Sequence, residues 1–367
     1  MTDRLTRRGF GALAAAAALT PAGFARAASV LPPSIIAEGG AGEERPEDTR
    51  AAYDQAMAEG CDFIQANLFP TKDGALVARR ENELSLSTNI AAHPEFAARK
   101  ATKTIAGADV SGWFVEDFTL AELKTLLCKD RQPGLHPQNN TRYDLKEPML
   151  TLAEVLSVAR DGCVRTARTV GVCARVIRAK VFADLDLRVV ELLANELTLE
   201  GYIADAAAVW VQAEEPEALI AFGKLSSIRR MQIVPAGPQA AGQTSQGGLA
   251  QIKSWAEAIA PDQDLVLDPS AATFPVPTTL VMDARSAGLQ VFSRVARVEN
   301  SFLPPALRRG DPRGPNYANI HGDIMKLMTA LFANGVDGLA TDQVNAASRA
   351  RDSAIAALRG RPSSGFD

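Results

Sequence analysis

IIAEGGAGEERPEDT, residues 35–49, is the stretch from which the rest of the chain can be read. Its opening Ile35-Ile36-Ala37 belongs to a short apolar run, 34–37, with the character of a buried β-strand. Glu38 follows at once, then Gly39-Gly40, and a helical pattern occupies 47–59. A strand, a glycine-bearing connection and a helix make one unit of an alternating β/α chain.

The unit recurs. Further strands are expected at 62–69, 168–175, 208–212, 231–235, 264–267, 289–294 and 338–341. Further helices are expected at 152–160, 185–197, 216–222, 248–259, 278–287 and 323–333. Apolar strands alternating with amphipathic helices predict a parallel sheet covered by helices. Eight strands over 367 residues suit a (β/α)8 TIM-type barrel, with a doubly wound open sheet as the competing arrangement.

Residues 82–148 break the rhythm and read as an insertion after the second strand. Within it Thr119 is an expected helix N-cap, with Glu122 as its capping-box partner. Trp113 and Phe114 either line an entrance or form the core of this small subdomain, and the second reading is the more economical. Trp210 reads as packing within the barrel or under its helices.

Composition is globular, at 47% hydrophobic and 22% charged residues. A net charge of -4 and the lack of a basic stripe argue against a nucleic-acid partner. The N-terminus reads as an export signal over residues 1–27. Thr6-Arg7-Arg8-Gly9-Phe10 is a twin-arginine element, an alanine-rich apolar run follows, and Ala25-Arg26-Ala27 is a cleavage site. Residues 28–367 would then form a single domain in the periplasm or outside the cell, with no membrane span left after signal removal. The cysteines at 61, 128, 163 and 173 lack metal-ligand spacing, and Cys61 and Cys173 are expected as buried thiols.

The opening stretch resembles a motif of the glycerophosphodiester phosphodiesterase family, IIAHRGASGYRPENT, with Glu38-Gly39 in place of His-Arg. Asp62–Leu68 resembles DFIEPDL, and Pro70-Thr71-Lys72-Asp73-Gly74 keeps a PTKDG turn. Leu76–Glu83 resembles LVARHENE. Ala92–Phe96 and Gly112–Leu126 are similar to the exported bacterial branch. Arg297, Glu299 and Asn300 match an RxEN, and Gly335–Gly338 with Thr341-Asp342 match GVDG…TD.

The resemblance implies the barrel, and hydrolysis of glycerophosphodiesters to glycerol 3-phosphate and an alcohol. It also implies a divalent cation held by carboxylates, and two histidines that move protons. At the family's histidine positions this chain has Glu38 and Arg80. At the metal-ligand positions it has Gln65, Asn67 and Arg175, with Ile177 where a lysine is implied. None of His93, His136 and His321 falls at a catalytic position.

No intact catalytic residue and no metal site is therefore expected. The pocket would comprise Glu38, Glu47, Gln65, Asn67, Arg80 and Arg175, with two readings. The arginines could replace the cation and hold a phosphate or phosphodiester ligand, or they could pair with Glu38 and Glu47 and fill the site. One functional alternative is an active phosphoric diester hydrolase using Glu38 and Glu47 as acid and base with Ca or Mg. The other is a non-catalytic interaction scaffold.

Overall fold

The computed structural model describes residues 32–136, 141–203, 208–271 and 273–358. The expected export signal lies outside them. Eleven strands are present in chain order: β1 (Ser34–Glu38), β2 (Phe63–Pro70), β3 (Leu76–Ala78), β4 (Ala101–Ile105), β5 (Ala108–Gly112), β6 (Gly171–Val176), β7 (Val209–Ala213), β8 (Arg229–Val234), β9 (Ala258–Pro261), β10 (Gln290–Ala296) and β11 (Gly338–Thr341). Eight of them, β1, β2 and β6 to β11, pair in parallel, and β1 bonds to both β2 and β11. The sheet is a closed (β/α)8 barrel, as the strand–helix alternation predicts.

Side-chain alternation divides each strand between two cores. Ile36, Cys173, Trp210, Met231, Ile233 and Phe292 pack inside the barrel. Their neighbours in sequence, Ile35, Ala37, Val172, Val211 and Val291, pack outward under the helices. Trp210 and Phe292 meet edge to face at 5.4 Å, closing the interior as a packed plug.

The same two-residue period fixes what lies above the plug. Positions 38, 65, 67, 175, 294 and 342 have the parity of inward-facing residues; 38, 175 and 342 lie at or just beyond the C-terminal ends of their strands, 294 in the second half of β10, and 65 and 67 within β2, whose far end runs on to pair with β3. Register brings them level: Glu38 sits beside Gln65, and Asn67 beside Arg175.

One expected strand is in the wrong place. Residues 264–267 are not the sixth barrel strand; β9, at Ala258–Pro261, is, and Gln263–Val266 form a helical turn. The helix expected at 248–259 correspondingly stops at Lys253. Ala258 and Ile259 pair with Met231 and Gln232 on one side and with Gln290 and Val291 on the other. That two-sided pairing outweighs the helical preference of an alanine-rich run.

After β2 the chain doubles back as β3, antiparallel to β2 with Leu68 opposite Ala78. Arg79 and Arg80 follow directly: the hairpin delivers Arg80 to the barrel mouth, while buried Arg79 donates to Cys128 Sγ and the Ser87 carbonyl in the insertion. Residues 82–148 then build a small core of their own, in which Phe96, Trp113, Phe118, Leu123 and Leu126 pack with Phe69 and Val77. Trp113 Nε1 donates to the Phe96 carbonyl at 2.7 Å, so it is a core residue there. β4 and β5, which the sequence reading did not include, form a separate antiparallel hairpin. Thr119 and Glu122 make the capping box reciprocally at the start of the helix Leu120–Leu123. Thr119→Ala is expected to destabilise the chain by about 1 kcal/mol, read as a lower urea midpoint with an unchanged slope.

All four cysteines are free; Cys61, Cys128 and Cys173 are buried. Among the described residues no helix is long and apolar enough to cross a membrane.

Candidate functional site

The structure brings all six sequence-predicted pocket residues together at the C-terminal end of the barrel. Glu38, at the end of β1, is 1% exposed and stands at the centre. Arg80 reaches it from the β2–β3 hairpin, Nη1 lying 3.2 Å from Glu38 Oε2 and 3.6 Å from Glu47 Oε1. The first approach is ionic without hydrogen-bond alignment, and neither atom has a hydrogen-bond partner elsewhere. Arg175, on β6, puts Nη1 3.6 Å from Glu38 Oε1 and donates through Nη2 to Glu214 at 2.7 Å. Gln65 Nε2 donates to Asn67 Oδ1 at 3.2 Å and, at 3.4 Å, to Glu38 Oε1.

Arg131, which the sequence reading did not single out, extends the array from the insertion. Its Nε is 3.4 Å from Glu47 Oε2, and its Nη1 is 3.8 Å from Glu81. Glu81, Arg131, Glu47, Arg80, Glu38, Arg175 and Glu214 thus form one row of alternating charge across the barrel mouth.

The field of this row fixes protonation states. Burial alone would raise the Glu38 carboxyl, but the guanidiniums of Arg80, Arg294, Arg297 and Arg175 outweigh it and hold it at about 2. Glu47 is likewise lowered: burial opposes, and Arg80, Arg131 and Arg297 prevail. Burial, followed by the like charge of Arg294, brings Arg175 down to about 10. Two other carboxyls move the opposite way. Burial pushes Asp342 up to about 6 against the pull of Arg297, with Glu299, Glu47 and Glu38 adding to the rise. Burial also takes Asp48 to about 6, although Arg79 and a hydrogen bond from Tyr53 oppose it.

Beside the row opens a cleft of about 530 Å3, lined among others by Arg80, Arg131, Arg294, Arg297, Phe302 and Arg308. The sequence marked Arg297 only as part of the RxEN match and gave no sign of Arg294 or Arg308. Parity along β10 marks Arg294 as inward-facing once Phe292 is known to be inside. Arg308 carries no such signal. Asp342 turns to Arg297, 3.9 Å away, while the Thr341 hydroxyl, not Asp342, accepts the Gln343 N–H.

No histidine lines the cleft. His136 is held by Asp130 at 3.1 Å, His93 lies against Glu95, and His321 is 3.8 Å from Glu43. A hard dication needs several carboxylate or carbonyl oxygens free of other cations. Here the central carboxylate already faces two guanidiniums, and its neighbours are amides. Among the described residues there is no group of three His, Cys, Asp or Glu side chains arranged to hold a metal ion.

Comparison with known proteins agrees with this architecture. The profile of the glycerophosphoryl diester phosphodiesterase family matches residues 40–346. Glycerophosphodiester phosphodiesterase GDPD6 of Arabidopsis thaliana is 30% identical over 331 residues, spanning 84% of this chain and 83% of that protein. Among solved structures, an Oleispira antarctica phosphodiesterase in complex with the product sn-glycerol-3-phosphate superposes with a TM-score of 0.58 at 17% identity, over 87% of this chain and 97% of that one. A glycerophosphodiester phosphodiesterase from Agrobacterium tumefaciens gives 0.54 at 16% identity, over 86% and 99%. At those identities the structural likeness speaks for the fold.

Proposed function

Because the chain belongs to the glycerophosphoryl diester phosphodiesterase family, we propose that it is a member that has given up metal-dependent hydrolysis and retains a phosphate- or phosphodiester-binding cleft. The observation that carries this reading is the row of alternating charges centred on Glu38. Glu38 stands where the resemblance implies a histidine. A general acid needs a pKa near the working pH so that it has a proton to give. Glu38, held at about 2, has none, and Glu47 is lowered as well. Both shifts weigh against the rebuilt-hydrolase alternative, which needs one of these two carboxyls as its acid.

The implied cation fits no better. A dication approaching Glu38 would meet the guanidiniums of Arg80 and Arg175 within 4 Å of the carboxylate it needs, and the like charges would repel it. Binding, by contrast, suits an arginine-rich cleft, since guanidinium donates to phosphate oxygens in pairs. sn-Glycerol 3-phosphate, which the Oleispira structure holds, is the natural first ligand to try.

The deciding assay follows release of glycerol 3-phosphate from glycerophosphocholine and glycerophosphoglycerol with calcium or magnesium added. Release is expected to match the protein-free blank. Turnover well above it overturns the loss of hydrolysis. Calorimetric titration with glycerol 3-phosphate tests the binding half separately.

A further inference from the structure

The pocket arginines that stand at the family's catalytic positions are not the ones free to take a ligand. Arg80 faces Glu38 and Glu47, and Arg175 faces Glu38 and Glu214. Resting on the binding reading above, we propose that the ligand's anionic group docks instead on the wall formed by β10 and the loop after it, held by Arg294, Arg297 and Arg308. The ligand is a phosphate ester whose organic part lies on Phe302.

Arg297 lines the cleft and is 6% exposed, yet its Nη2 has no hydrogen-bond partner. The acid near it, Asp342, is 3.9 Å from Nε, too far for a hydrogen bond. A buried donor left unmet is costly, and a phosphate oxygen in the cleft would satisfy it. Arg308 is held in place through Nε, which donates to the Leu303 carbonyl at 2.8 Å. Among the described residues no carboxylate lies within 4 Å of its guanidinium. Arg294 has Asp262 at 3.5 Å, a loose pair that leaves donors for a second oxyanion.

Two acids share this wall, Asp262 and Asp264. Asp262 is engaged by Arg294 and by the Ala236 N–H at 2.9 Å. Counting Asp342, three carboxylates stand near the three guanidiniums, but none of them accepts a hydrogen bond from Arg294, Arg297 or Arg308, so the wall keeps donors for an oxyanion.

The wall is also pre-arranged. Asn300, 1% exposed, donates to the carbonyls of Arg309 and Tyr317 and accepts the Arg309 N–H, fixing the loop that carries Phe302 and Arg308. Gln263 Nε2 pins the Phe302 carbonyl at 2.6 Å. Phe302 is 45% exposed, with Pro304 and Pro305 beside it in the cleft and the Arg297 guanidinium 5.1 Å from its ring centroid. An apolar ledge next to a cationic cluster matches an ester with a charged end and an apolar end.

The test is calorimetric titration of the full chain with inorganic phosphate, sn-glycerol 3-phosphate and phenyl phosphate. Arg308→Gln, with its fold checked by circular dichroism because the Leu303 bond is lost, removes a charge-assisted contact from an exposed position. It is expected to weaken all three ligands about tenfold or more. Arg175→Gln, with its fold checked by circular dichroism, is expected to change them by less than about threefold. Phenyl phosphate should bind more tightly than phosphate, and Phe302→Ala should abolish that difference. If the wild type binds none of the three, the binding reading of the preceding section falls and this inference with it. If the wild type binds but Arg175→Gln weakens it while Arg308→Gln does not, only the placement on the β10 wall is overturned. Equal affinity for phenyl phosphate and phosphate overturns the ledge.

Discussion

Glu38→Ala is expected to destabilise the protein by about 3–5 kcal/mol, the loss typical when one partner is taken from a buried ion-pair network. Glu38 is the shared partner of Arg80 and Arg175, and the field of Arg294 and Arg297 reaches it as well. Removing it leaves four guanidiniums around a vacated buried position, with a repulsion that water cannot screen well. The intact network need not be a large net source of stability, because desolvation offsets most of the attraction. The asymmetry is between having every partner and lacking one. Urea denaturation of Glu38→Ala, of Arg175→Leu and of the double variant measures this directly. The double variant should recover part of the single loss, giving a coupling between the two sites. A loss below about 1 kcal/mol for Glu38→Ala, the scale of an exposed pair, would mean the row of charges is incidental.

Thermal stability is expected to be highest near about pH 4 and to fall on both sides, toward neutral pH and again below about pH 4. The signs come from carboxyls displaced in opposite directions. Glu38 sits at about 2 in the folded protein against an ordinary 4.5. Its contribution is complete above 4.5 and is lost as the pH falls toward 2. Asp48 and Asp342 sit at about 6 against an ordinary 3.8. The folded protein binds their protons more tightly than the unfolded chain does, so acidification from neutral through 6 toward 3.8 adds stability. Raising the pH removes it. The gap converts to on the order of 3 kcal/mol per carboxyl. His136 acts in the same sense: burial lowers it, the hydrogen bond and charge of Asp130 outweigh burial and raise it, and its contribution fades as pH rises through the folded value. Melting temperatures from about pH 2.5 to 9 test both limbs, and Asp342→Asn and Asp48→Asn should each flatten the alkaline side. A melting temperature that is flat or rising between pH 5 and 8 refutes the assignment.

Much of the barrel was legible because buried parallel strands leave a plain signature. Ile35-Ile36-Ala37 and Gly338–Thr341 are short apolar runs with helical patterns beside them, and both are strands at the expected places. β9 was hidden because Ala258-Ile259-Ala260 continues the pattern of the preceding helix, while Asp264–Leu267 looks more strand-like. Only the neighbours on either side decide between them. In the site, five of the six residues found from sequence are embedded in motif frames, Glu38, Glu47, Gln65, Asn67 and Arg80; the sixth, Arg175, came from its place on the third barrel strand. Arg131 and Arg308 escaped because they lie in irregular segments whose path depends on tertiary contacts. Arg294 escaped because its face of β10 cannot be chosen until Phe292 is placed inside.

The seam between β1 and β11 has a consequence for how the chain reaches this state. Ser34 pairs with Gly338 and Ala37 with Thr341, and Arg351 ties back to Asp62 and to the Pro33 carbonyl. The two strands that complete the ring are thus the first and last of the sheet. Until residue 341 has been synthesised, β1 and β10 both present unpaired edges. Every earlier stage is an open ribbon with two adhesive margins, so the contacts that make the protein whole are also those of longest sequence separation. A nascent or C-terminally clipped chain is consequently the form most exposed to edge-to-edge association. The charged mouth, whose Glu38 lies on one side of that seam and Asp342 on the other, acquires its final field only when the ring shuts.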